Sequence, residues 1–216
     1  MAPMASAAQT GPLSTDEQPS STDTGLVGQA LLDAGHIFKT HEVFSVNGDG
    51  NRTINENFPH PGDFDAVVSF GSFSHIYEID DDWIAREIQY IAMLHQQGIP
   101  YLGICFGAQL LAESLGGRTV RADKIEVGLI NFDPGYTCPI APGPWFSWHS
   151  DKVELPDHVD VLARTAIAPQ VFHSGRSIGV QFHPEVDAEL MEEWIRIGGH
   201  ELSGIISIDD FRRDWA

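Results

Sequence analysis

The stretch 99–112 constrains this chain more than any other. An apolar run, Ile99-Pro100-Tyr101-Leu102, leads into Gly103-Ile104-Cys105-Phe106-Gly107, and Ala108-Gln109-Leu110-Leu111-Ala112 leads out of it. That is the layout of a nucleophile elbow, in which a strand turns sharply into a helix. Flanking glycines let the backbone bend and let the helix come close, so one reactive side chain points into a cleft. The N–H groups just beyond the turn lie in the first turn of a helix, where they lack internal partners. They are therefore placed to stabilise a thiolate and, later, an oxyanion. A G-x-C-x-G pentapeptide on its own is equally compatible with a buried, inert cysteine packed under a helix.

The surrounding pattern gives the elbow a fold. Residues 1–24 are rich in Ala, Ser, Thr, Pro, Gly and acidic side chains, and read as a flexible or irregular acidic segment. Residues 25–216 read as a single domain. A short amphipathic helix runs from Leu26 to Gly35, a strand is expected at 42–45 and a buried one at 64–70, followed by a loop at 71–74. Trp83, Ile84, Ile88, Ile91 and Ala92 recur at helical spacing from Asp82 until Gly98 stops them. A central strand at 101–104 and a helix at 107–115, closed by Gly116-Gly117, follow. Strand, helix, strand and helix in this order predict an α/β fold: a flavodoxin-like open, mostly parallel sheet with flanking helices, its functional residues at the carboxyl ends of the strands. Further on, shorter strands are expected at 127–132, 159–165 and 178–182, a stiff proline-rich surface loop at 139–144, and a last regular helix at 189–197.

Composition excludes several functions. The chain has 216 residues, enough for one substantial core, and a net charge of -19 with no local Lys/Arg cluster, which argues against nucleic acid as a partner. Its two cysteines cannot build a disulfide scaffold or a four-thiolate zinc site. A working thiol suits a reducing, cytoplasmic location. No apolar run approaches membrane-spanning length, and the N-terminus lacks the pattern of a secretory signal. None of the ten histidines falls in an H-E-x-x-H pattern, so neither a catalytic metal nor any other cofactor is expected.

A catalytic thiol needs a base, and His183 is the strongest candidate. An apolar strand ends at Gln181-Phe182-His183, Pro184 stops it, and Glu185 lies where a turn could return its carboxylate to the imidazole. Such an acid would fix the ring tautomer and favour the charged ring as it draws the thiol proton. The same residues also fit a surface histidine beside a strand-end proline, with Glu185 merely solvated.

Three segments together make the chain recognisable. Tyr101-Leu102-Gly103-Ile104-Cys105-Phe106-Gly107-Ala108-Gln109-Leu110-Leu111, Trp148-His149-Ser150-Asp151 and Gln181-Phe182-His183-Pro184-Glu185-Val186 resemble, in order and spacing, the class I glutamine amidotransferases. The resemblance is greatest to stand-alone members similar to the amidotransferase domain of GMP synthase, and it covers about residues 26–187. It implies a Cys105-His183-Glu185 triad that attacks the side-chain amide of L-glutamine. A γ-glutamyl thioester forms, ammonia leaves and water releases glutamate. It further implies backbone oxyanion donors at Gly71 and Phe106, a substrate-holding Gln109, and a loop carrying Trp148 and His149 beside the cleft. Phe70, Ser72, Phe73 and Gln181 complete the expected cleft.

The departures from the family are informative. Relatives usually carry paired glycines where this chain has Phe70-Gly71, and leucine where it has Phe106. These phenylalanines either narrow the cleft, line it for an apolar co-substrate, or pack inward. The family also opens with a short apolar strand. Either Met4-Ala5-Ser6-Ala7-Ala8 fills that place, leaving residues 11–24 as an acidic insertion, or the strand is absent and a sheet edge is exposed.

No nucleotide-binding loop is present. The leading expectation is therefore a glutaminase that supplies ammonia to a separate acceptor or synthetase. A γ-glutamyl amide hydrolase, or a transferase delivering an amine or hydroxylamine-like group, is the related enzyme reading; an enlarged wall of Phe70, Phe73 and Phe106 motivates it. A non-catalytic regulatory protein of the same fold is the third reading.

Overall fold

The computed structural model describes residues 7–9, 24–37, 39–46, 52–55, 57–77 and 82–215. Its centre is a seven-stranded sheet. The strands, in chain order, are β1 (Ala7–Gln9), β2 (His41–Glu42), β5 (Val67–Ser69), β6 (Tyr101–Ile104), β9 (Asp160–Arg164), β10 (Pro169–Ser174) and β11 (Ser177–Val180), with β3 (Phe44–Val46) and β4 (Arg52–Ile54) forming a separate hairpin. Across the sheet the order is β2-β1-β5-β6-β11-β10-β9. The first five strands are mutually parallel, and β10 and β9 continue antiparallel. Taken in sequence order, the parallel strands lie 2-1-3-4-5, the flavodoxin-like arrangement.

The opening strand is therefore present, as Ala7–Gln9 between β2 and β5. Met4, Ala5 and Ser6, together with most of the expected acidic insertion, lie outside the described residues. The expected strand at 42–45 is broken at Val43, which is fully buried in the core between β2 and β3. The strand at 64–70 shortens to Val67–Ser69.

Two helices carry the core. In α2 (Asp82–Gln96) the apolar stripe of Trp83, Ile84, Ile91 and Leu94 is buried against the sheet. The helix α3 (Phe106–Ser114) is buried from Phe106 to Ala112, a stretch apolar apart from Gln109. α1 (Gly25–Asp33) lies at the start of the described core, and its Leu26 N–H donates to the carbonyl of Glu185 at 2.8 Å.

The largest difference from the expected pattern lies beyond Gly117. In place of a short strand at 127–132 there is a long antiparallel hairpin, β7 (Arg118–Ile130) with β8 (Trp145–Glu154). Its register shifts between Arg121 and Glu126. That irregularity breaks the two-residue alternation from which a strand is read. Trp148 and His149 stand on β8 and not in a loop. The proline-rich stretch 139–144 is the connection between these strands, as expected. α4 (Ala188–Gly198), capped by the Asp187 carboxylate on the Leu190 N–H, and α5 (Ile208–Trp215) close the chain. Leu190, Met191 and Ile195 of α4 pack with Phe146 and Trp148 of β8. Among the described residues no helix is long and apolar enough to cross a membrane.

Candidate active site

Cys105 lies where β6 ends and α3 begins, with φ 50° and ψ -103°. A non-glycine residue with this backbone is strained and persists only where its surroundings enforce it. Here its N–H donates to the Val180 carbonyl at 2.8 Å, and its carbonyl accepts from the N–H groups of Ala108 and Gln109 at 3.0 and 3.1 Å. The flanking glycines are obligatory. A Cβ at Gly103 would stand 2.4 Å from the Gly107 carbonyl oxygen, and one at Gly107 would stand 2.4 Å from that of Ser69. Strand, elbow and helix are thus in backbone contact, leaving the first N–H groups of α3 beside the thiol.

His183 reaches the thiol from the end of β11. Its N–H donates to the Phe146 carbonyl of β8 at 2.8 Å. Its Nδ1 lies 2.7 Å from Glu185 Oε1, and its ring lies beside the Cys105 side chain, with which it interacts electrostatically. Both His183 and Glu185 are buried. Burial disfavours the imidazolium, but the Glu185 carboxylate, the negative charge of a Cys105 thiolate and hydrogen bonding outweigh it and raise His183 to about 10. Trp194 of α4 meets the imidazole at a ring separation of 4.6 Å and an angle of 77°, and Phe146 packs at 6.1 Å.

Gly71 borders the same cavity. A Cβ there would be 3.1 Å from His183 Cε1 and 3.8 Å from Cys105 Cβ, so the loop after β5 lies against the pair. Ser72, Phe73, Gln109, Trp148 and His149 also face the cavity. Gln181 does not. It is buried, with its Nε2 3.5 Å from Cys105 Sγ, and contacts the sulfur without lining the cleft.

The two unusual phenylalanines belong to the core. Phe106 is 1 % exposed and packs on Trp83 at 5.7 Å, while Phe70 is 4 % exposed and packs with Val68, Ile104 and Phe182. Both line the cavity but present almost no surface to it, so they do not build an aromatic wall. Phe73, Trp148 and Trp194 do. The ring of Phe73 meets each tryptophan edge-on at 6.5 Å.

His149 was expected beside the cleft, but the partners that hold it and several other wall residues were not foreseen. His149 is held from both ring nitrogens, Nε2 2.9 Å from Glu126 Oε2 and Nδ1 2.8 Å from the Asp151 carbonyl. Glu126 also accepts from Thr165 Oγ1 at 2.7 Å and Gln170 Nε2 at 2.6 Å. Asp151 accepts from His75 at 2.6 Å and from the Tyr77 hydroxyl at 3.2 Å, tying the loop after β5 to β8. Leu190, Trp194, Ile197 and Glu201 line the cavity at three- and four-residue spacing, and that helical period was the available signal. Among the described residues, no cluster of three or more His, Cys, Asp or Glu could hold a metal ion.

Comparison with known proteins agrees with this architecture. GMP synthase [glutamine-hydrolyzing] from Thermomicrobium roseum is 37% identical over 128 residues, covering 56% of this chain and 23% of that protein. Its counterpart from Staphylococcus saprophyticus is 38% identical over 162 residues, covering 66% and 30%. The chain thus spans less than a third of these relatives. Among solved structures, a glutamine amidotransferase from Thermotoga maritima superposes with a TM-score of 0.78 at 23% identity, over 99% of this chain and 90% of that one. One from Methylobacillus flagellatus gives 0.76 at 20%, over 100% and 87%. At such identity these two show the fold. The family described as glutamine amidotransferase class-I matches residues 29–197, most of the chain, so this protein belongs to the class I glutamine amidotransferase family.

Proposed function

We propose that the protein hydrolyses the side-chain amide of glutamine through a Cys105 γ-glutamyl thioester. The observation that carries this reading is the continuous contact from Glu185 through His183 to Cys105, at the head of α3 and beside a cavity. Glu185 holds the imidazole, and His183 takes the thiol proton and passes it to the departing nitrogen. The sulfur attacks the amide carbon, the C–N bond breaks and ammonia leaves; water then cleaves the thioester and releases glutamate. The backbone N–H groups of Gly71 and Phe106 serve the oxyanion, and Gln109, one turn beyond the nucleophile, holds the substrate. The strained backbone of Cys105 supports catalysis over a binding role alone, because a binding module has no use for a strained, acid-backed thiol.

Ammonia released here passes to an acceptor site separate from this cavity. The relatives' names join glutamine hydrolysis to GMP synthesis in chains of which this one matches 23% to 30%. The test is glutamate release from glutamine by the purified protein, with and without C105A. Wild-type turnover that falls by about 10⁴-fold or more in C105A supports the assignment. Release that survives the substitution sinks it.

A further inference from the structure

The cavity beside Cys105 has a wall that ammonia does not require. Phe73, Trp148 and Trp194 present three aromatic rings to it, and Trp194 also touches the His183 ring. Phe73 is 37 % exposed and seated closely: a Cβ at Gly198 of α4 would stand 2.7 Å from its Cε1. The charges on this side are of one sign. Glu193 and Glu201 line the cavity with Asp151, whereas no lysine or arginine does among the described residues.

The neighbouring cations lie outside the lining. Arg196 pairs with Glu193 at 3.5 Å on the surface, and Arg121 approaches Asp151 at 3.7 Å and also feels Glu201. They offset part of the acidity and do not reverse it in a chain of net charge -19. Aromatic faces together with carboxylates attract an organic ammonium and repel a carboxylate.

We propose that this wall is a subsite for the amine portion of a γ-glutamyl amide, selective for amines that bear a second, positively charged group. The inference rests on the thioester chemistry above and extends it to the leaving group. The sulfur bonds to the γ-carbonyl carbon, the C–N bond breaks, and the amine departs with the proton carried by His183. Water then cleaves the C–S bond, so that amide and water give glutamate and free amine.

Four donors with the same glutamyl head isolate the amine side: L-glutamine and the γ-glutamyl amides of n-butylamine, 1,4-diaminobutane and 4-aminobutanoate. The kcat/KM for the diaminobutane conjugate should exceed that for the aminobutanoate conjugate by about tenfold or more, with the butylamide between. In an E193Q/E201Q variant, altered only at exposed positions, that ratio should fall by about fivefold. F73A should depress the diaminobutane conjugate about tenfold more than glutamine. Binding of the same conjugates to C105A, by calorimetry, should show the same order without turnover. Equal rates for the cationic and anionic conjugates, a ratio unmoved in E193Q/E201Q, or cleavage of glutamine with no cleavage of any conjugate overturns the subsite and leaves the glutaminase reading intact. Failure to cleave glutamine and every conjugate, with no acyl-enzyme on Cys105, overturns both.

Discussion

The elbow and the cleft wall are built by different means. At the elbow, β5, β6 and α3 meet backbone to backbone, and the close approach leaves no volume for a side chain at Gly103 or Gly107. The wall is built from side chains. Phe73, Trp148, Trp194 and the His149–Glu126 pair come from a loop, a hairpin and a helix that meet only in three dimensions. Backbone contact makes a site rigid and intolerant of change. Side-chain contact makes one that can be reshaped without losing the fold. In the function proposed above, the chemistry is placed on the first and the choice of substrate on the second.

The sharpest test of that contrast is Gly107→Ala. The added methyl would meet the Ser69 carbonyl, and backbone cannot swing aside as a side chain can. A loss of about 3–4 kcal/mol in unfolding free energy is expected, with glutamate release abolished in whatever fraction folds. Denaturant titration measures it. A variant of wild-type stability would show that the elbow does not depend on this contact.

Next in size is E185Q, which leaves the backbone alone and strikes the charge relation above it. Without the carboxylate the largest raising influence is gone, burial weighs more heavily, and His183 falls from about 10. The sign of the effect follows. In the wild type the imidazolium persists until pH nears 10, and the stability it contributes is complete below 6.5 and lost as pH rises through about 10. In E185Q the imidazolium is lost at a lower pH than in the wild type. Turnover at pH 8 should drop about 10²–10³-fold, and alkylation of Cys105 by a diazo-ketone analogue of glutamine should decline at a lower pH than in the wild type, where the decline lies near pH 10. Matching pH profiles for the two proteins would remove Glu185 from the mechanism.

A smaller effect lies beneath the elbow. Glu87 of α2 is fully buried, and its Oε1 accepts from Ser69 Oγ at 2.8 Å. Burial raises its carboxyl from 4.5 to about 7, against a smaller lowering by the Ser69 hydroxyl. The folded state therefore holds a proton that the unfolded chain has released, and stability falls as pH rises from 4.5 to about 7. E87Q cannot ionise and can still accept from Ser69. Relative to the wild type its unfolding free energy should improve by about 2 kcal/mol between pH 5.5 and 8.5. A difference that stays constant with pH would show that Glu87 carries no such cost.

The same contrast explains what could be read from the sequence. The strand 101–104 and the glycines around Cys105 were legible to the residue, because a backbone approach this close admits one residue type and prints it in the chain. His183 and Glu185 were legible because they are two positions apart and meet through a local turn. The hairpin β7–β8 was not. Arg118, Arg121, Asp123, Lys124 and Glu126 give β7 a polar look, and the register shift removes its period. Glu126 and His149 lie 23 positions apart, and Phe73 and Trp194 farther still. Nothing local marks such pairs, so of the wall expected from Phe70, Phe73 and Phe106 only Phe73 belongs to it, and nothing near Trp194 in the sequence marks it as the partner of Phe73.

Gly198→Ala offers the mildest test and the counterpart of Gly107→Ala. Both added methyls meet an atom closer than contact allows, 2.4 Å in one case and 2.7 Å in the other. The obstacle at Gly198 is the rim of the Phe73 ring, the far end of a partly exposed side chain and not backbone. Gly198 has φ -107°, a value alanine adopts readily, and it ends a helix in which alanine is favoured by up to about 1 kcal/mol. Gain and displacement should nearly cancel, leaving stability within about 0.5 kcal/mol of wild type. Glutamine turnover should change by less than about threefold, because the ring moves and the elbow does not. The selectivity among γ-glutamyl conjugates should change more than either quantity. If G198A instead unfolds the protein as G107A does, the wall is as backbone-bound as the elbow, and the division between a fixed nucleophile and an adjustable wall does not hold.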